Sequence, residues 1–197
     1  MHEPGGAASP WLQRWAHLIR PGGRVLDLAA GSGRHSRWLA ANGFAVTAVD
    51  RDAAAMAALG GSAETLVADL EGAPWPLAGR SFDAVLVANY LWRPLFPAIV
   101  AAVGAGGVLL YETFAAGNET VGRPARPDFL LARGELLALA AGLQVVAFED
   151  GFLSDPDRFV QRIVAVRPVP ATTPARLPLS APAHGAGRDP GSLESSG

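Results

Sequence analysis

From Arg24 to Gly104 the chain repeats a short apolar run, a turn of small residues, and then a segment with helical spacing. Arg24–Ala30 is read as a strand and is followed by a glycine turn, then by a helix through Trp38 and Leu39 that stops near Asn42-Gly43. Phe44–Val49 is a second strand ending in Asp50, with Asp52 placed to cap the alanine-rich helix that Gly60-Gly61 ends. Thr65–Ala68 and Phe82–Ala88 are the third and fourth strands, joined by a Pro- and Gly-containing loop, and Pro94 opens a helix that Gly104 closes. Strands that alternate with helices must run parallel, because each crossover carries the chain back over one face of the sheet.

The flanking segments complete that scheme. Ser9-Pro10 is a helix start, and Trp11, Leu12, Trp15, Leu18 and Ile19 recur at helical spacing behind it. Val108–Thr113 is a fifth strand, Ala115–Leu131 a long connection and Arg133–Ala141 a helix. Leu143–Glu149 and Phe159–Val166 form a closing antiparallel pair. The expected fold is α/β: a single doubly wound, mostly parallel seven-stranded sheet with helices on both faces and a C-terminal hairpin. Its boundaries are expected at residues 9–167, with a flexible N-terminus over 1–8. The segment 168–197, rich in Pro, Ala, Gly and Ser, is expected to be a disordered tail.

Composition removes several chemistries. The chain has no cysteine, and all 16 basic residues are arginine. That excludes disulfides, thiolate nucleophiles and zinc-thiolate sites, and also P-loop or Schiff-base lysines. Of the 4 histidines only His17 and His35 fall in the expected core, so no metal is expected. A net charge of -2 gives no general attraction to nucleic acid, which makes such a partner unlikely. No apolar run is long enough to span a bilayer and no secretory signal is read, so a cytoplasmic protein is expected.

The most informative segment is Val25-Leu26-Asp27-Leu28-Ala29-Ala30-Gly31-Ser32-Gly33-Arg34, with an acid on the strand and small residues in the turn behind it. It resembles motif I of class I S-adenosylmethionine-dependent methyltransferases, with Asp27 followed by alternating Ala29, Gly31 and Gly33; Ala29 stands where glycine is commoner. Asp50 ends the second strand at the offset where an acid grips ribose hydroxyls in Rossmann-type sites. The resemblance further implies that Asp69 contacts the adenine amine and Leu70 the ring, and adds Ser32, Arg51 and Asn89 to the cofactor set. The implied cofactor is S-adenosylmethionine, with S-adenosylhomocysteine as product. Three acids suit a ligand with an ammonium, a sulfonium and ribose hydroxyls but no phosphate.

Acceptor residues are expected beyond strands four and five, where open α/β sheets bind ligands. Tyr90 and Glu112 are the catalytic candidates: Asn89 and Tyr90 could hold an acceptor hydroxyl or amine, while Glu112 is either a general base or the partner of an arginine. Trp92, Arg93, Arg123 and Arg126 are substrate-binding candidates, the last two either anchoring a carboxylate or oxyanion or lying solvated on the surface. His35 is a base, a cap or a packing residue. Absence of a large added domain resembles the TehB-like and UbiE-like groups and implies a small-molecule acceptor at an unresolved O, N or chalcogen atom. The alternatives are an RNA or protein methyltransferase and a non-catalytic cofactor-binding domain. A nicotinamide site fits less well, since Ser36 replaces its third glycine, and Ser32 lacks the flanks of a hydrolase nucleophile elbow.

Overall fold

The computed structural model describes residues 6–170 and 175–181 of the 197-residue chain. A short N-terminal helix, α1 (Pro10–Trp15), is capped by the Ser9 hydroxyl, which accepts from the Trp11 amide. Then come β1 (Arg24–Leu28), α2 (Arg34–Ala41), β2 (Ala45–Asp50), α3 (Ala53–Ala58), β3 (Glu64–Val67), β4 (Phe82–Ala88), α4 (Phe96–Ala102), β5 (Val103–Phe114), α5 (Glu135–Leu139), β6 (Gln144–Leu153) and β7 (Arg158–Val166). The sheet order is β3-β2-β1-β4-β5-β7-β6. β3 to β5 run parallel, and β7 inserts antiparallel between β5 and β6.

Strand alternation divides the core into two layers. Val25, Ala84, Leu86, Val108, Leu110 and Val164 pack beneath Trp11, Leu12 and Trp15 of α1 and Leu39 of α2. On that same side Ala48 meets Met56 of α3. Leu26, Val85, Leu109, Tyr111 and Ile163 face the other way, against Phe96 and Ile99 of α4 and Leu136 of α5. Both faces are therefore covered, which is what the near-continuous apolar character of β4 and β5 requires.

Element limits differ from the sequence reading where tertiary contacts decide them. β5 starts at Val103, because the Gly104–Gly107 stretch bulges against β4: Phe82 pairs with Val103, yet Ala84 pairs with Val108. A Cβ on Gly107 would sit 2.9 Å from the Phe82 carbonyl oxygen, so only glycine permits that approach. β6 runs past Glu149 to Leu153, lengthening the hairpin to the Arg158 pairing. The helix expected over 133–141 shortens to α5, preceded by Gly134 at φ 69.

The terminal expectations lie partly outside the described residues, namely 1–5, 171–174 and 182–197. Of the N-terminal residues described, Ala8 is buried and the Ala7 carbonyl accepts from Arg34. Part of the C-terminal segment also returns to the α1 face. Leu177 packs against that core, and the Pro178 carbonyl lies 3.0 Å from Nε2 of His17.

Candidate active site

The C-terminal ends of β1 to β4 enclose a cleft of about 430 Å³ lined by Ala29, Asp50, Arg51, Ala68, Asp69, Leu70, Glu71 and Tyr90. Each ends one of these strands or follows within four residues of it, since a parallel sheet carries its chain to the same edge four times over. Asp50 closes β2 with its carboxylate fixed by main chain: Oδ2 accepts from the Gly31 amide at 2.8 Å and Oδ1 from the Asp52 amide at 2.9 Å. A carboxylate offers about four acceptor directions, so two remain for ribose hydroxyls. Asp69 is held in the same way by the Glu71 amide at 3.0 Å, and beside it Leu70 gives the cleft an apolar surface.

The glycine turn divides its duties. Gly31 at φ 54 presents its amide to Asp50, while Gly33 at φ 77 begins α2. A Cβ on Gly33 would lie 2.3 Å from Leu59, so glycine there serves the packing of α2 on α3 rather than approach to a ligand. Ala29 lines the cleft at φ 55, a left-handed conformation that costs a residue with a Cβ about 1–2 kcal/mol. Ser32 is half-buried in the turn and lies outside the cleft lining.

Asp27 stands apart from the other acids. It is 1% exposed, lies behind the turn and outside the cleft lining, and accepts from the Ser36 hydroxyl at 2.6 Å. Burial raises its pKa to about 6, with the Ser36 hydrogen bond opposing. The pairing with buried Ser36 was not read from the sequence, although an acid on a strand nine residues before a hydroxyl on the next helix is a recognisable signal. His35 is buried, and desolvation together with nearby Arg34 lowers its pKa to about 3, so the ring is neutral.

A larger depression of about 1,050 Å³ adjoins the cleft, sharing Glu71 and Tyr90 with it. Asn89, Leu91, Thr113, Phe114, Arg123, Pro124 and Phe129 complete its lining. Asn89, expected in the cofactor set and beside an acceptor, lines this depression, at φ 55 with its main-chain amide donating to the Glu112 carbonyl. The Tyr90 hydroxyl is buried without a hydrogen-bond partner among the described residues. Desolvation pushes the phenol's pKa well above its ordinary value and keeps it neutral, suited to donate a proton in a hydrogen bond rather than to act as a phenolate base. Tyr111 donates to the Tyr90 carbonyl at 2.7 Å and stacks on Phe96.

Several expected substrate and catalytic residues do other work. Glu112 points to the α1 face, as alternation with Leu110 dictates, and lines neither compartment. No arginine pairs with it among the described residues: Arg162, its register neighbour on β7, bonds Glu149 at 2.7 Å and stacks over Trp11. Trp92 packs half-buried against the core. Arg93 is not available to a substrate, because it forks onto Glu135 at 2.5 and 2.9 Å and donates to the carbonyls of Asp128 and Leu130. Arg126 pairs with Asp128 at 2.9 Å and lies outside the depression, whereas Arg123 lines it.

The cleft fits S-adenosylmethionine. Two backbone-held carboxylates retain acceptor capacity, Leu70 offers an apolar surface for a base, and the unpartnered Tyr90 hydroxyl calls for a ligand atom. Among the described residues no group of three or more His, Asp or Glu is placed to hold a metal. Likewise, no described helix is long and apolar enough to cross a membrane.

Residues 25–106 match a family model described as a methyltransferase domain. No curated protein matches the chain in sequence. Among solved structures, TehB from Haemophilus influenzae is 20% identical, with a TM-score of 0.64 over 77% of this chain and 59% of TehB. The chain therefore spans less than two thirds of that relative. A TehB-like SAM-dependent methyltransferase from Corynebacterium glutamicum is 22% identical, with a TM-score of 0.58 over 77% of this chain and 86% of its own. The cyclase SpnF is 17% identical, with a TM-score of 0.61 over 81% and 79%. The chain has the class I methyltransferase fold, which at these identities leaves substrate and reaction partner open.

Proposed function

From the match of residues 25–106 to a methyltransferase-domain model, we propose that the protein binds S-adenosylmethionine in the strand-end cleft and methylates a small molecule held in the adjoining depression. The observation that carries this reading is the continuity of the two compartments through Tyr90 and Glu71. When bound, the cofactor supplies a methyl group on positively charged sulfur, which departs as a neutral thioether.

The chain's part is to bind, orient and dry the reacting groups. Asp50 offers its free lone pairs to the ribose hydroxyls, and Asp69 and Leu70 offer an acceptor and an apolar surface to the base. Asp27, behind the turn, adds negative charge on the cofactor side whenever it is ionised. Tyr90 stands where the compartments meet and holds its proton, so it fixes an acceptor or cofactor atom by donating a hydrogen bond. Leu91, Phe114, Pro124 and Phe129 form the apolar part of the depression and exclude water. A small molecule suits that enclosure better than a nucleic acid, because Arg123 is the only cation lining it among the described residues.

The test is calorimetric titration with S-adenosylmethionine and S-adenosylhomocysteine, comparing the native protein with Asp50→Ala. Saturable binding weakened by about 1–3 kcal/mol is the expected outcome, as for a lost charge-assisted hydrogen bond. Absence of binding by folded protein freed of copurified ligand would sink the proposal. Binding without methyl transfer to any of a broad acceptor panel would leave a cofactor-binding domain.

A further inference from the structure

The arginines around the depression differ in how they are engaged. Arg93 is occupied by Glu135 and two carbonyls, and Arg126 by Asp128. Arg123 lines the depression and, among the described residues, has no carboxylate within 4.0 Å. It also lines a second depression with Pro124, Ala125 and Arg126, and it is exposed to solvent. On the side shared with the cofactor cleft lie Tyr90 and Glu71, Asn89 also lines the depression, and Phe129 is 37% exposed.

This is a dipolar enclosure with one exposed cation in its lining, aromatic and aliphatic walls, and a carboxylate with a neutral phenol on the side shared with the cofactor cleft. A guanidinium matches a carboxylate bidentately. A phosphate dianion fits poorly, since a single arginine would face it while Glu71 repels it. A purely apolar acceptor would leave Arg123 without a role in the site. An amine beside Arg123 would be repelled by it.

Building on the methyltransferase reading above, we infer that the acceptor is a small planar organic acid whose carboxylate is anchored by Arg123. Its apolar body rests against Phe114, Leu91 and Phe129. Its reacting heteroatom is directed toward Tyr90, at the junction with the cofactor cleft. Arg123 thereby sets specificity through charge at the end of the molecule remote from the chemistry, and Tyr90 acts at the near end.

The experiment titrates benzoate, 4-hydroxybenzoate and phenylacetate, each against its neutral amide, into the full chain with saturating S-adenosylhomocysteine. Native protein, Arg123→Gln and Arg123→Lys are compared, with inorganic phosphate as a control anion and cooperative unfolding as the check on folding. At least one acid is expected to bind about tenfold or more tightly than its amide, a preference that Arg123→Gln abolishes and Arg123→Lys partly restores. Equal binding of acids and amides, or no binding of either, with normal S-adenosylhomocysteine saturation overturns the inference and leaves the methyltransferase reading standing. Phosphate binding as tightly as the best acid overturns it too, because the apolar walls would then contribute nothing. Failure of S-adenosylhomocysteine to bind, with the acid preference and its Arg123 dependence intact, overturns the cofactor reading and supports the anchoring site.

Discussion

Asp50, Asp69 and Tyr90 lie at or within two residues of a strand end, and backbone amides aim both carboxylates. Arg123, Pro124 and Phe129, on the acceptor side, belong to a connection between β5 and α5 that is held by distant side chains. Asn118 donates to the Pro124 carbonyl at 3.0 Å and accepts from the Phe159 amide, Arg93 grips the carbonyls of Asp128 and Leu130, and Gln161 reaches the Ala132 carbonyl. The cofactor side is therefore rigid by virtue of the sheet, whereas the acceptor side is rigid only while a few long-range polar contacts persist. One fold can keep its cofactor and change its acceptor by altering that connection.

The largest expected effect tests the cofactor side. A carboxylic acid whose folded pKa, about 6, exceeds its unfolded value binds more protons when folded. Its stabilising contribution is complete below about pH 4 and is lost as pH rises through 6. Neutral His35 acts oppositely, its contribution being present above its unfolded pKa and lost as pH falls toward 3, so the two partly cancel between pH 4 and 6 in the native protein. Asp27→Asn keeps an acceptor for Ser36 and removes the charge. The variant is expected to match the native protein below pH 4 and to exceed its stability by up to about 3 kcal/mol above pH 6. Its S-adenosylmethionine affinity should fall. Urea unfolding across pH measures the first effect and calorimetry the second; a stability difference independent of pH would refute the assignment.

Arg93→Ala probes the other half. With the clamp on Asp128, Leu130 and Glu135 gone, kcat/KM for the acceptor is expected to fall about 10- to 100-fold, as for misplacement of a substrate-positioning element. Cofactor affinity should stay within about twofold, because the strand ends do not depend on Arg93. Equal losses in both quantities would show that the two sides are one cooperative unit.

The smallest effect concerns Ala29, which has φ 55 in the cleft wall. Ala29→Gly relieves the left-handed strain at the cost of a more flexible unfolded chain, for a net gain of about 0.5–1 kcal/mol. A shift in the denaturant midpoint at unchanged slope reports it. Destabilisation instead would mean that the Ala29 methyl contributes packing that outweighs its strain.

Local pattern made much of this molecule legible. The order of strands and helices, the caps at Ser9 and Asp52, the limits of β4 and the strand-end positions of Asp50 and Asp69 all follow from periodicity and turn chemistry. Side-chain assignments on the acceptor side were less accessible. Arg93, Arg123 and Arg126 look equivalent in sequence, and only the positions of Glu135 and Asp128 reveal which of them are engaged. Glu112 in its apolar strand read as either a general base or the partner of an arginine, yet its face of the sheet depends on register with β4 and β7.

What the sequence determined by itself is the doubly wound α/β scaffold and the row of acids along its carboxyl edge, because strand and helix periods, glycine turns and helix caps act over a few residues. The tertiary structure decided the rest. It placed Asp27 behind the turn, assigned Gly33 to Leu59, joined Tyr90 to both compartments and, among the described residues, left Arg123 lining the depression without a carboxylate partner. Those outcomes depend on which distant groups meet once both faces of the sheet are covered, and burial and pairing are properties of that assembled packing.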